Sequence, residues 1–246
     1  LRVDYASGTI SLHDEISFID GSVRLDLVAR MENRPPVAHA GEDQHVECEA
    51  NGAVVTLDAT ASSDPDSNIR RIQWWAHGHA LEESTLVALG PTPSIRLPVG
   101  TTELDVGVTD DALLTSIDTV AVSVVDTTPP RLVLSALTPS VLWPPNHRLV
   151  PITASIELDE ACDLNPTLRL KSVTSNEPDD GCGDGDTTND VQGADIGTPD
   201  LEFLVRAERS GSGGGRIYTV IYEVVDSAGN RTEVAGHIAV PHAPGP

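Results

Sequence analysis

Lysine is nearly absent. Of 15 basic residues one is Lys (Lys171), against 38 acidic ones, for a net charge of −23 over 246 residues. A surface this acidic repels phosphate backbones and anionic bilayers, which argues against nucleic-acid binding. Aromatic residues make up 3% and there is a single Met, so any core must rest on Val, Ile and Leu, the residues strands prefer. No apolar run approaches the roughly 18–20 residues of a membrane span, so membrane insertion is not expected. No signal-peptide pattern is present and the chain begins at Leu1, the expectation for a mature product or an excised piece of something larger. Three cysteines allow one disulfide and one leftover thiol.

Catalytic patterns are missing too. There is no G-x-S-x-G elbow and no H-E-x-x-H; the nearest string, His13-Asp14-Glu15, lacks its second His. No phosphate-cradling Gly loop leads from a strand into a helix. The expectation is a protein without enzymatic activity.

What is present is a series of short alternating or apolar runs separated by turn residues, with little helical periodicity. Val54–Leu57, Ile69–Trp75, Ile95–Val99, Leu104–Val108 and Thr119–Val125 form one set. Arg131–Ala136, Leu149–Leu158, Leu168–Val173, Phe203–Ala207, Ile217–Val225 and Val234–Val240 form another. Ser210–Gly215 and Asp226–Asn230 read as hairpin turns. Strands at this density predict an all-β chain of tandem β-sandwiches. Pro35-Pro36 and Pro129-Pro130 punctuate it, since a Pro pair continues neither helix nor sheet interior. The expected organisation is an N-terminal strand segment over residues 1–33, a sandwich over 34–126 and a second over 127–246. The first segment holds Thr9–Leu12 and Val23–Val28 as strand-like runs, too few for a stable domain. It is read either as part of a neighbouring domain or as strands that pair with another chain.

Residues 34–126 resemble a PKD domain, an immunoglobulin-like sandwich common in secreted bacterial proteins. The resemblance runs through Pro35-Pro36-Val37-Ala38, Ala40-Gly41-Glu42-Asp43-Gln44, Val55-Thr56-Leu57-Asp58 and Ser62-Ser63-Asp64-Pro65-Asp66 to Trp74 and Val108-Thr109-Asp110. It departs at Ala76-His77-Gly78-His79, where the family often has an FGDG-like stretch. It implies Trp74 in the core, and strand parity then turns Trp75 to the opposite face. Some PKD domains bind calcium, and the matching positions are Asn33, Asp64, Asp66 and Asp110, with the Arg34 carbonyl. Calcium wants six to eight oxygens supplied from loops; the same Asp residues also cap turns through their side chains.

Residues 127–242 resemble bacterial extracellular Ig-like modules, through Leu142-Trp143-Pro144-Pro145-Asn146-His147, Val173-Thr174-Ser175-Asn176-Glu177-Pro178 and Asp226-Ser227-Ala228-Gly229-Asn230. His147 is read as pinning a loop by local hydrogen bonding. The loop from Asn176 to Asp195 concentrates carboxylates, whose repulsion calls for something positive among them. Asp179, Asp180, Asp184, Asp186 and Asp190 are candidate calcium ligands; a solvated acidic loop is the alternative. Related modules often carry a Cys where this chain has Ala228. That departure makes Cys182 the expected disulfide partner of Cys162, with Cys48 a buried free thiol.

The function expected is a calcium-stabilised, non-catalytic spacer, display or adhesion module of a bacterial secreted or surface protein. Its partners would be neighbouring domains or subunits, reached through residues 1–33, and surface polysaccharide or proteins. Two other readings stand beside it: a filament subunit assembled by strand exchange, and a carbohydrate-binding module with an aromatic platform drawn from Tyr5, Trp75, Trp143 and Tyr218.

Overall fold

A computed structural model describes the backbone of residues 2–4, 9–18 and 21–30, and residues 33–77, 85–180, 187–212 and 214–243 in full. The described chain is all-β. Its strands are β1 (Arg2–Asp4), β2 (Thr9–Phe18), β3 (Gly21–Arg30), β4 (Gln44–Glu47), β5 (Ala53–Thr56), β6 (Ile69–Ala76), β7 (Thr85–Leu89), β8 (Ser94–Leu97) and β9 (Gly100–Asp110). They continue with β10 (Thr115–Val125), β11 (Arg131–Thr138), β12 (Leu149–Asp159), β13 (Thr167–Ser175), β14 (Val191–Gln192), β15 (Glu202–Arg206), β16 (Arg216–Val225) and β17 (Arg231–Val240). The eleven expected runs after residue 33 each fall on one of these strands. The short β4, β7 and β14 carry no period of their own long enough to read.

The chain divides into two compact units. One comprises Leu1–Gln44, Val55–Ile95 and Thr101–Val122; the other comprises His45–Val54, Arg96–Gly100 and Ser123–Pro246. The sheets are β1-β2-β3, β4-β10-β9-β6-β7, β5-β8, β11-β12-β15-β14 and β13-β16-β17. Alternation builds each strand's inner face. Leu104, Val106 and Val108 are buried on β9 and Val120, Val122 and Val124 on β10. Trp74 is fully buried, its indole N–H donating to the Gly90 carbonyl (3.1 Å), as the sequence predicts.

In the C-terminal unit the β11-β12-β15-β14 sheet and the β13-β16-β17 sheet share one core. Leu132, Ile152, Phe203 and Val205 from the first meet Leu170, Tyr218, Val220, Tyr222, Val224 and Ile238 from the second. This is a two-layer β-sandwich. Asp226–Asn230 is a hairpin turn, closed by the Asp226 N–H on the Asn230 carbonyl (3.1 Å) between paired strands β16 and β17. Ser210–Gly215 is not a hairpin. It carries the chain from β15 in one sheet to β16 in the other. Its Gly-rich composition marks a sharp change of direction equally well in either case, and only pairing separates the two.

Candidate functional site

The PKD-like ligand set converges, but not on one empty position. Asp110, fully buried at the end of β9, accepts from Asn33 Nδ2 (2.6 Å) and from the Leu114 N–H (2.9 Å). Both oxygens of Asp66 are taken by Arg34, one by its backbone N–H (2.8 Å) and one by its guanidinium (2.9 Å). Those hydrogen bonds hold the Asp66 carboxyl below the usual range. Asp64 accepts the Asp66 N–H (2.7 Å), an Asx turn. The Asn68 amide lies 3.0 Å from Asn33 Oδ1 and, turned over, donates its Nδ2 to both Asp64 oxygens (2.9 and 3.2 Å). Asp64, Asn33 and Asp110 are hard oxygen donors, which suits calcium. Arg34 already supplies the positive charge at Asp66.

The acidic loop finds its positive charge within the protein. Asp190 is buried between Arg216, fully buried, and Arg206, whose Nε donates to Asp190 Oδ1 (3.1 Å). Burial alone would lower the Arg216 pKa; the Tyr218 hydroxyl and the Asp190 carboxylate at its guanidinium reverse this, and it stays charged. Arg216 also reaches Glu177 Oε2 (3.3 Å) and the Pro178 carbonyl (3.0 Å). Asp179 accepts the N–H groups of Asn189 (2.9 Å) and Asp190 (2.7 Å), which hold its carboxyl below the usual range. Asp180 is exposed in the following turn. Asp184, Asp186 and Cys182 lie outside the described residues.

Glu208, fully buried, extends this network. Its Oε2 meets His147 Nδ1 (3.0 Å) and the Thr187 hydroxyl, while Oε1 has no partner among the described residues. His147, at φ 58°, also donates its N–H to the Ala207 carbonyl (3.0 Å), and so pins its loop as expected. Glu208 and Arg216 escaped sequence reasoning, although a signal existed for the second. Arg216 stands in phase with Tyr218, Val220, Tyr222 and Val224, on the inward row of β16. A charge in an apolar row needs a buried countercharge.

The disulfide differs from the expected pairing. Cys48 is bonded to Cys162, with Cα atoms 6.0 Å apart and 114 positions between them in sequence. Cys48 is therefore not a free thiol, and Cys162 is not available to Cys182. The expectation rested on related modules that carry a Cys where this chain has Ala228; the fold instead brings residues 48–51 to the turn after β12. There the Asn51 N–H donates to the Ala161 carbonyl (2.8 Å). Beside the disulfide lie Asp126 and Glu160. With Cys162 they form the one group of three or more His, Cys, Asp or Glu among the described residues whose ligand atoms all lie within 4.8 Å of one another. As Cys162 Sγ is spent in the disulfide, two carboxylates remain. Burial raises the Asp126 pKa and the Asp226, Glu160 and Glu47 charges add to it, against one N–H bond from Thr128.

The aromatic candidates do not share a surface row. Tyr218 is fully buried and Tyr5 lies outside the described residues, while Trp143 is 44% exposed. Trp75 is half-buried and packs against Gly107, where an added Cβ would stand 2.5 Å from its ring. Gly107→Ala should therefore lift Trp75 and cost about 1–3 kcal/mol, seen as a lower urea midpoint with a red-shifted tryptophan emission. An unchanged midpoint would show that Trp75 is not seated there.

No family model matches the chain. No curated protein matches it. Solved structures resemble it weakly. A nucleoside hydrolase-related hypothetical protein from Saccharophagus degradans, associated with carbohydrate metabolism, is 23% identical, with 38% of this chain and 26% of that one covered, at a TM-score of 0.31. Fibronectin(III)-like modules of Clostridium thermocellum CbhA are 14% identical, with 84% and 94% covered, at 0.27. Drosophila N-cadherin EC1-3 is 13% identical, with 94% and 76% covered, at 0.30. At such scores none of them bears on what this chain does, and its all-β class rests on its own strands.

Proposed function

We propose that the chain is a non-catalytic extracellular module, a spacer or display element of a secreted or surface protein. The Cys48–Cys162 disulfide carries this reading, because structural disulfides persist in oxidising compartments and are rare in the cytosol. No described helix is long and apolar enough to cross a membrane. The PKD-like reading of residues 34–126 belongs to the proposal, supported by the order of its motifs and by Trp74 in the core. So does calcium. Asp64, with the Asn33 and Asp110 oxygens beside it, is its best-suited seat, a set of hard oxygen donors of which only Asp66 is already matched by a cation, Arg34.

Two measurements test this. Denatured, unreduced protein should titrate one thiol per chain; three would remove the compartment argument. At calcium a hundredfold above Kd, binding to the native state alone adds about 2.7 kcal/mol of stability. Metal-free protein should therefore melt several degrees higher in millimolar calcium, and Asp64→Asn should remove most of that gain. A melt indifferent to calcium would end the calcium part and leave the module reading standing.

A further inference from the structure

The N-terminal hairpin is two-faced. Its register pairs Ile10 with Ala29, Leu12 with Leu27, Asp14 with Leu25, Ile16 with Val23 and Phe18 with Gly21. Strand β1 adds Val3 opposite Ile10. Residues directly opposite in an antiparallel pair share a face, and successive residues alternate. One face of the three-stranded sheet therefore carries nine apolar residues, one glycine and a single charge, Asp14. The other face pairs Glu15 with Arg24, His13 with Asp26, Ser17 with Ser22, Thr9 with Arg30 and Ser11 with Val28, its one apolar residue. With Arg2 and Asp4 opposite Ser11 and Thr9, its three arginines balance its three carboxylates.

A sheet with one apolar face needs a second layer. We propose that this layer is the same sheet of a second copy, so that β1-β2-β3 forms one half of a six-stranded sandwich in a symmetric dimer. Three observations select this occupant. The face is self-complementary, being apolar along its length but for Asp14. Its size is right: nine such side chains at roughly 60–120 Å² each give on the order of 500–1,100 Å² per copy, against about 800 Å² per partner in a standard interface. Its local charge is low, because the polar face balances three arginines against three carboxylates and the apolar face carries Asp14 alone, so the hairpins themselves add little to the repulsion between two acidic chains. The inference goes beyond the module reading and does not depend on calcium.

The test is molar mass by light scattering on the full chain, in chelator and about 0.15 M salt, where charge repulsion is screened beyond roughly 8 Å. The expected result is about 52 kDa, twice the 26.0 kDa of one chain, falling towards the monomer on dilution. Leu12→Asp with Leu27→Asp, an opposed pair at the middle of the face, should weaken the dimer at least about 100-fold. Near-ultraviolet signals of Trp74, Trp75 and Trp143, all outside the hairpin, should not change. Because that variant could act by unfolding the hairpin, Asp14→Leu is the deciding partner. It removes the one charge on the face and should tighten the dimer about tenfold. A monomer at every concentration overturns the proposal, as does a dimer that survives the double substitution or fails to tighten with Asp14→Leu.

Discussion

Replacing Cys48 by Ala should lower stability by about 4–5 kcal/mol, and replacing Cys182 by Ala should leave it unchanged. The difference follows from which loop is closed. A bond across roughly 100 residues removes loop entropy from the unfolded chain worth about 4.7 kcal/mol, and the native pair spans 114 positions. In urea, where small domains lose about 1–3 kcal/mol per molar, the midpoint should fall by roughly 2 M. Reduction of the wild-type protein should reproduce the shift, and reduction of the Cys48→Ala variant should add nothing. If Cys182→Ala were the damaging change instead, the pairing would be Cys162 with Cys182 and the stapled segment would be the acidic loop. The damage from Cys48→Ala should also be local at first. Residues 48–52 would keep the Cys48 N–H on the Val125 carbonyl (2.7 Å) and the Asn51 N–H on Ala161, but no covalent tie.

Arg216→Met is expected to cost about 3–5 kcal/mol, because it leaves Asp190 buried with half its countercharge removed. Arg206 stays on the other carboxylate oxygen, but it cannot also reach the Pro178 carbonyl and the Tyr218 hydroxyl that Arg216 holds. Arg216→Lys should recover little, since an ammonium offers a point charge where the site uses a planar fork. Combining Arg216→Met with Asp190→Leu should recover most of the loss, as apolar replacements of buried ion pairs often do. Thermal unfolding of the wild type, Arg216→Met, Asp190→Leu and the double variant reads the coupling directly. Additive losses would mean that the two side chains stabilise the sandwich separately and that the ion pair is incidental.

The strands were legible because alternation of Val, Leu and Ile against polar residues is a local signal, and it survives in β9, β10 and β12 almost residue for residue. Trp74 and Trp75 could be told apart by parity alone. The Asp226–Asn230 hairpin was legible for the same reason, being a turn between neighbours. What failed was long-range. Cys48 and Cys162 meet only because the chain returns after β12, and no composition or spacing announces that. Ser210–Gly215 looked like a hairpin because Gly-rich turns look alike whether the next strand pairs or crosses over. The acidic loop was read as a seat for calcium, whereas Asp190 takes its positive charge from arginines distant in sequence. Arg206 and Arg216 stand 16 and 26 positions from Asp190 and become its neighbours through β15 and β16.

The disulfide has a mechanical consequence as well as a thermodynamic one. Pulled from its two ends, a chain can lengthen only through residues that lie outside its covalent loops. The 114 positions between Cys48 and Cys162 would stay folded back behind the bond, withholding on the order of 390 Å of contour length at about 3.4 Å per residue. Both β9 and β10, with their rows of buried valines, lie inside that shielded stretch, so tension reaches them only after the bond is reduced.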